Sequence, residues 1–228
     1  MKNLVLSCYF TKKNDPQRKK RHVRSFRKFS RWYKSLIRLG MNGTIVHDQL
    51  PKRIISENAC LQIRFHSYQL RKRWSINDER FLAWLEFLEQ RPDVDNVFLT
   101  DLFDVDFFRD PFEIFTPKHD LYCGWGGALV DNCRYTKTKM RQAYGVVRHR
   151  GKPALNAGII GGSRSNVLKL LRLMVSDFRR INSGKNLNMG VFNQRAHDLF
   201  PSRIMVGEPL HSRFKHYESD GNFCIRHK

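Results

Sequence analysis

Short apolar runs alternate along this chain with stretches whose apolar residues recur at helical spacing, and no other feature of the sequence restricts its fold as much. Residues 3–11 have the composition and length of a buried strand, and 12–21 follow as a basic polar loop broken by Asp15 and Pro16. Beyond it Phe26, Phe29, Tyr33, Leu36 and Ile37 mark one helical face among Arg24, Arg27, Lys28, Arg31 and Lys34, and Gly40 ends the helix. Short strands are expected at 44–47 and 63–65. A helix over 78–90, capped by Asn77 or Asp78, turns Phe81, Leu82, Leu85 and Leu88 inward. Strands are expected again at 97–99, 121–123, 157–162 and 203–206, with amphipathic helices over 165–182 and 188–199. Strands alternating with helices predict an α/β layered domain whose mostly parallel central sheet is flanked by helices. No repeat or linker interrupts the chain, so one domain is expected over 1–228.

Charge narrows the partners. The 42 Lys and Arg against 21 Asp and Glu leave a net +21, which attracts polyanions, anionic membranes and phosphorylated substrates. A 41% hydrophobic and 12% aromatic composition excludes a disordered basic tail. Cys8, Cys60, Cys123, Cys133 and Cys224 form no C-x-x-C pair and are odd in number, which points to a reducing compartment rather than a disulfide framework or a zinc knuckle. The opening LVLSCYF is too short for a signal segment, and no apolar run approaches the ~20 residues of a membrane span. A cytoplasmic chain, with any membrane contact peripheral, is the expectation.

Residues 97–112, VFLTDLFDVDFFRDPF, carry the chemistry: an apolar run delivers Asp101, Asp104 and Asp106 into a short polar segment. Ionised carboxylates this close repel one another unless a cation is shared among them, and hard oxygen ligands suit Mg²⁺ or Mn²⁺. The competing reading makes them turn residues at a strand end. In open α/β sheets ligands bind beyond the carboxyl ends of the strands, so Thr11, Asp48 and the aspartate cluster share one rim, across which a nucleotide can lie.

Phe98-Leu99-Thr100-Asp101-Leu102-Phe103-Asp104-Val105-Asp106, followed by Asp110-Pro111-Phe112, resembles the D-x-D segment of nucleotide-sugar glycosyltransferases of the GT-A fold. Leu155-Asn156-Ala157-Gly158 resembles the N-A-G strand that lines the sugar and acceptor site in that family, and Asn188-Met189-Gly190 a helix start facing the acceptor. The likeness of order runs over residues 3–215. It implies transfer of a sugar from a nucleotide diphosphate sugar, most naturally a UDP-sugar, to a glycan or glycolipid acceptor, with Mn²⁺ or Mg²⁺ bridging the diphosphate. Asp104 is then the foremost metal ligand, and Asp101 and Asp106 compete for the second place. In Leu210-His211-Ser212-Arg213-Phe214-Lys215, His211 completes the metal sphere, with His216 its nearest rival, and Arg213 or Lys215 pairs with the phosphates. Phe10, Thr11, Lys12 and Asp48 resemble the nucleotide pocket, and Asn77, Asp78 and Arg80 a helix start touching nucleotide or phosphate. Each has an ordinary alternative: a turn residue at Asp48, an N-cap at Asp78, a solvated charge at Arg80.

Two departures bear on the chemistry. Asn188 stands where relatives commonly have Asp, and an amide cannot take a proton from the acceptor; Trp125-Gly126-Gly127 lacks the acidic residue that often follows such a strand. An inverting enzyme would need another base, for which Asp131 is the candidate, whereas a retaining one can use the leaving phosphate. The rival class is a nucleic-acid binder or metal-dependent nuclease, motivated by the basic segment 12–34 with Phe26, Phe29, Trp32 and Tyr33. Those aromatics fall at helical spacing, which favours a core face.

Overall fold

In the computed structural model, residues 2–71, 73–216, 218 and 221–228 are described. Strand β1 (Asn3–Tyr9) is followed by α1 (Ser30–Arg38), β2 (Gly43–His47), α2 (Lys52–Asn58), β3 (Ile63–Ser67), α3 (Ile76–Glu89) and β4 (Asn96–Thr100). After β5 (Val105–Phe107) come β6 (Leu121–Leu129), α4 (Arg134–Tyr144), β7 (Pro153–Ser163), α5 (Arg164–Ile181), α6 (Asn188–Leu199), β8 (Ile204–Val206) and β9 (Ile225–His227). Seven strands form one sheet in the order β3-β2-β1-β4-β7-β6-β8, and β5 pairs with β9 in a separate ribbon.

The sheet is mostly parallel, as expected, but mixed: β7 alone runs against its neighbours. β1, β2, β3 and β4 pair in parallel, as do β6 and β8, but β7 runs antiparallel to both β4 and β6. The chain leaves β6 and returns beside it as β7 in the opposite direction, so α4 lies on a connection between antiparallel neighbours, not on a crossover. Periodicity along β7, an apolar run, carries no sign of its direction.

Alternating side chains divide the core between the two faces of the sheet. Leu4, Leu6, Val97 and Leu99 pack with Phe81, Trp84 and Leu88 of α3, Leu171 of α5 and Phe192 of α6. On the opposite face Val5, Ile45 and Phe98 meet Phe29, and Trp32 and Leu36 of α1, and the ribbon residues Phe107 and Ile225. Trp32 also donates its indole N–H to the Thr100 hydroxyl at 2.9 Å, which ties α1 to the end of β4. The α3 helix starts earlier than its sequence signal suggests: Ser75 is the cap, accepting the Asp78 amide at 3.2 Å. Among the described residues no helix is long and apolar enough to cross a membrane.

Candidate functional site

A cleft of about 810 Å³ opens beyond the carboxyl ends of β1 and β4 and is bordered by the starts of α3, α4 and α6. The β4 strand delivers Asp101 to its floor, where the Asp101 N–H donates to the Gly158 carbonyl of β7 at 2.9 Å. Asp104 follows on the same wall. The Arg80 guanidinium, from the first turns of α3, pairs with the Asp101 carboxylate and reaches the Ala157 carbonyl at 3.2 Å. Opposite, β9 carries His227 into the cleft, with its Nε2 at 3.7 Å from Asp101.

These neighbours set the charge states. Burial pushes the Asp101 carboxyl up, but Arg80 and then His227 outweigh it and hold the group well below the usual carboxylate range. Asp104 moves the other way, raised by burial and then by the charge of Asp101. Its closest cation is Arg18, at 3.9 Å. The site therefore has one carboxylate compensated by an arginine and a second whose charge is poorly compensated.

Asp106 and His211 lie outside the cleft lining. Asp106 is held by the Arg226 fork, Nε to Oδ1 at 3.0 Å and Nη2 to Oδ2 at 2.6 Å, and so fastens β5 to β9. His211 is 3% exposed. Its Nδ1 donates to the Ser212 carbonyl at 2.7 Å and its Nε2 accepts the Gly207 amide at 2.9 Å, which occupies both ring nitrogens. The imidazole that faces Asp101 across the cleft is His227. Its sequence signal was slight, an apolar Phe223-Cys224-Ile225 run ending in Arg-His-Lys, and a three-residue strand is visible only through its distant partner.

The remaining candidates divide in the same way. Phe10, Asn77, Asn156, Gly158, Asn188 and Lys215 line the cleft. Asn156 turns its carbonyl oxygen to the Gly158 amide at 2.8 Å, and Asn188 does the same to Met189 at 2.7 Å. Asp48 accepts from the Thr11 amide at 2.8 Å and hydroxyl at 3.1 Å and from the Lys12 amide at 2.7 Å, so these three build the turn after β1 rather than the cleft lining. Asp78 is buried behind the wall, where both its oxygens accept the Leu187 amide at 3.1 Å; burial pushes its pKa up to about 6. Arg213 is exposed and gives its amide to Glu218 at 3.0 Å. Asp131 also lies off the cleft: it accepts the Gly151 amide at 2.9 Å, and that bond lowers its pKa. The sequence reading missed Asp15, Gln17, Arg18 and His22 of the basic loop, Tyr135 and Thr136 of α4, and Lys228.

The Asp101 and Asp104 carboxylates with the His227 imidazole suit a hard divalent cation, and the raised Asp104 is a carboxylate that a cation would relieve. Among the described residues no three acidic, His or Cys side chains converge closely enough to hold an ion, because Asp101 is turned to Arg80. No protein-family model and no curated protein matches this chain.

Proposed function

We propose that this cleft transfers a sugar from a nucleotide diphosphate sugar, with UDP as the nucleotide, to a hydroxyl acceptor, and that the mixed sheet is a GT-A fold. One observation carries the reading: Asp101 and Asp104, at the carboxyl end of β4, share a cleft with His227 and with the cations Arg18, Arg80, Lys215 and Lys228. Carboxylates and cations together suit a donor that is both metal-bound and doubly phosphorylated. Asp104 and His227, with Asp101 once it turns from Arg80, would hold Mn²⁺ or Mg²⁺, which when bound would neutralise charge on the departing diphosphate. Arg80 pairs with Asp101 through one terminal nitrogen and is tied to the Ala157 carbonyl by the other; Lys215 and Lys228 meet the phosphates. Asn156 and Asn188 present amides to sugar hydroxyls.

Asp131, the base candidate from the sequence, lies off the cleft lining and its carboxylate is held by the Gly151 amide, with a lowered pKa. This favours the course in which the departing phosphate oxygen takes the acceptor proton and anomeric configuration is retained. The nucleic-acid reading loses its aromatic half, because Phe29 and Trp32 of the basic segment are fully buried and Phe26 and Tyr33 pack against the same core. Calorimetric titration of UDP in the presence of Mn²⁺ tests the proposal. Wild-type protein binds, and Asp104→Ala loses the Mn²⁺-dependent part; equal affinity in the variant rules the reading out.

A further inference from the structure

One wall of the cleft is the first turn of α4, and its leading amides are open. Cys133 precedes the helix without a side-chain cap, and the first turn carries no acidic residue. Among the described residues the N–H groups of Arg134, Tyr135 and Thr136 find no acceptor. Leading amides of a helix carry partial positive charge and attract anions. The start of α6, which also borders the cleft, is different: Asp78 takes the Leu187 amide and the Asn188 side chain takes that of Met189.

A second, independent feature points to a ligand. Thr136 is fully buried, borders the cleft, and its hydroxyl has no hydrogen-bond partner. A buried polar group left unpaired costs stability unless something polar comes to meet it.

Cations surround this turn. Arg134 is exposed and Lys137 half-buried; neither forms an ion pair among the described residues, and Lys137 lies near enough to Asp131 to help lower its pKa. Gln17 donates to the Tyr135 hydroxyl at 3.5 Å, which sets the basic loop against α4. That loop exposes Lys19, Lys20 and Arg21. The nearby carboxylates are engaged elsewhere: Asp131 on the Gly151 amide at 2.9 Å, and Asp15 on the amides of Gln17 at 2.7 Å and Arg18 at 3.1 Å and beside His22 at 3.5 Å. Charge complementarity therefore calls for an anion. A lipid surface would need an apolar anchor, yet Tyr135 is the one exposed large hydrophobic on this turn among the described residues, and Val23 and Val146 stand on separate segments.

We propose that the first turn of α4, with Thr136, Arg134 and Lys137, binds an anionic group on an acidic acceptor glycan: a uronate carboxylate, a sulfate or a phosphate. The inference rests on the sugar-transfer reading and adds the chemical class of the acceptor. Calorimetry with an oligouronate, a sulfated oligosaccharide and a phosphorylated oligosaccharide, each against a neutral oligosaccharide of equal length, tests it and separates the three sources of charge. At least one acidic probe binds roughly tenfold more tightly than the neutral one, and that preference weakens as salt is added. Thr136→Val and the surface double variant Arg134→Ala/Lys137→Ala each lose several-fold of the preference while keeping a cooperative thermal melt. Equal binding of acidic and neutral probes overturns the proposal, as does an acidic preference undiminished in both variants. Tighter binding of single-stranded DNA or of phosphatidylserine vesicles than of any acidic glycan overturns it too. UDP with Mn²⁺, titrated into wild-type protein in parallel, separates the two readings. If UDP binds and acidic glycans show no preference, only the acceptor assignment falls; if acidic glycans bind and UDP does not, the anion site stands and the sugar-transfer reading falls.

Discussion

Gly158 leaves open the space between Asp101 and His227. A Cβ at this position would lie 2.7 Å from Asp101 Oδ2 and against the His227 ring, so any larger residue must push one of them aside. Gly158→Ala should weaken Mn²⁺-dependent UDP binding roughly tenfold to a hundredfold, since a small misplacement of site groups has effects of that size. Overpacking should also cost about 1–3 kcal/mol of stability. Calorimetry and a thermal melt read the two effects separately. Asp78 is a second residue whose environment has a measurable consequence. With its folded pKa raised to about 6, it binds a proton more tightly in the folded chain than in the unfolded one. Its contribution to stability is present while it is protonated and is lost as the pH rises from about 4 through about 6. Asp78→Asn keeps an acceptor for the Leu187 amide but cannot ionise. The variant's melting temperature relative to wild type should climb across that window and level off above it; a constant difference would refute the assignment. In the sequence Asp78 reads equally well as an N-cap, because its partner at Leu187 is 109 residues away.

The β5–β9 ribbon joins the acidic segment to the C-terminal strand. Its fastening is the Asp106–Arg226 pair, with side chains 12% and 17% exposed, and Arg226 also lies over the Phe108 ring at 4.7 Å. Removing Arg226 leaves the largely buried Asp106 with only Lys228, 3.9 Å away, so Arg226→Ala should cost up to about 3 kcal/mol in a urea melt. It should also release β9 and with it His227, reducing Mn²⁺-dependent UDP binding. Asp106→Leu/Arg226→Met should recover most of the stability, since apolar replacements leave no stranded charge. Long amphipathic elements were legible before the structure: the Asn188–Leu199 helix was anticipated to the residue, and Arg164–Ile181 nearly so. The helices Lys52–Asn58 and Arg134–Tyr144 and the ribbon strands were not. Arg134–Tyr144 buries only Thr136 and Met140, too narrow an apolar stripe to announce a helix, and each ribbon strand is three residues long.

For the molecule as a whole, a net charge of +21 means that like charges repel across much of the surface. Raising ionic strength from about 0.01 to about 0.15 M shortens the screening length from about 30 to about 8 Å and should raise the melting temperature. A flat or falling curve would mean that the surface cations are already compensated. The layered α/β architecture, most of its long elements and the rim that carries the acidic segment follow from the sequence by itself, because apolar period, caps and turn residues act over neighbouring positions. Tertiary structure decided the rest. It reversed β7, engaged Asp106 with Arg226, spent both nitrogens of His211 on the backbone, and brought His227 to Asp101. The physical reason is one of range. The partners of Asp106 and Asp101 come from a segment more than a hundred residues away, and a one-dimensional pattern carries the period of an element but neither its direction in the sheet nor the group a side chain will face.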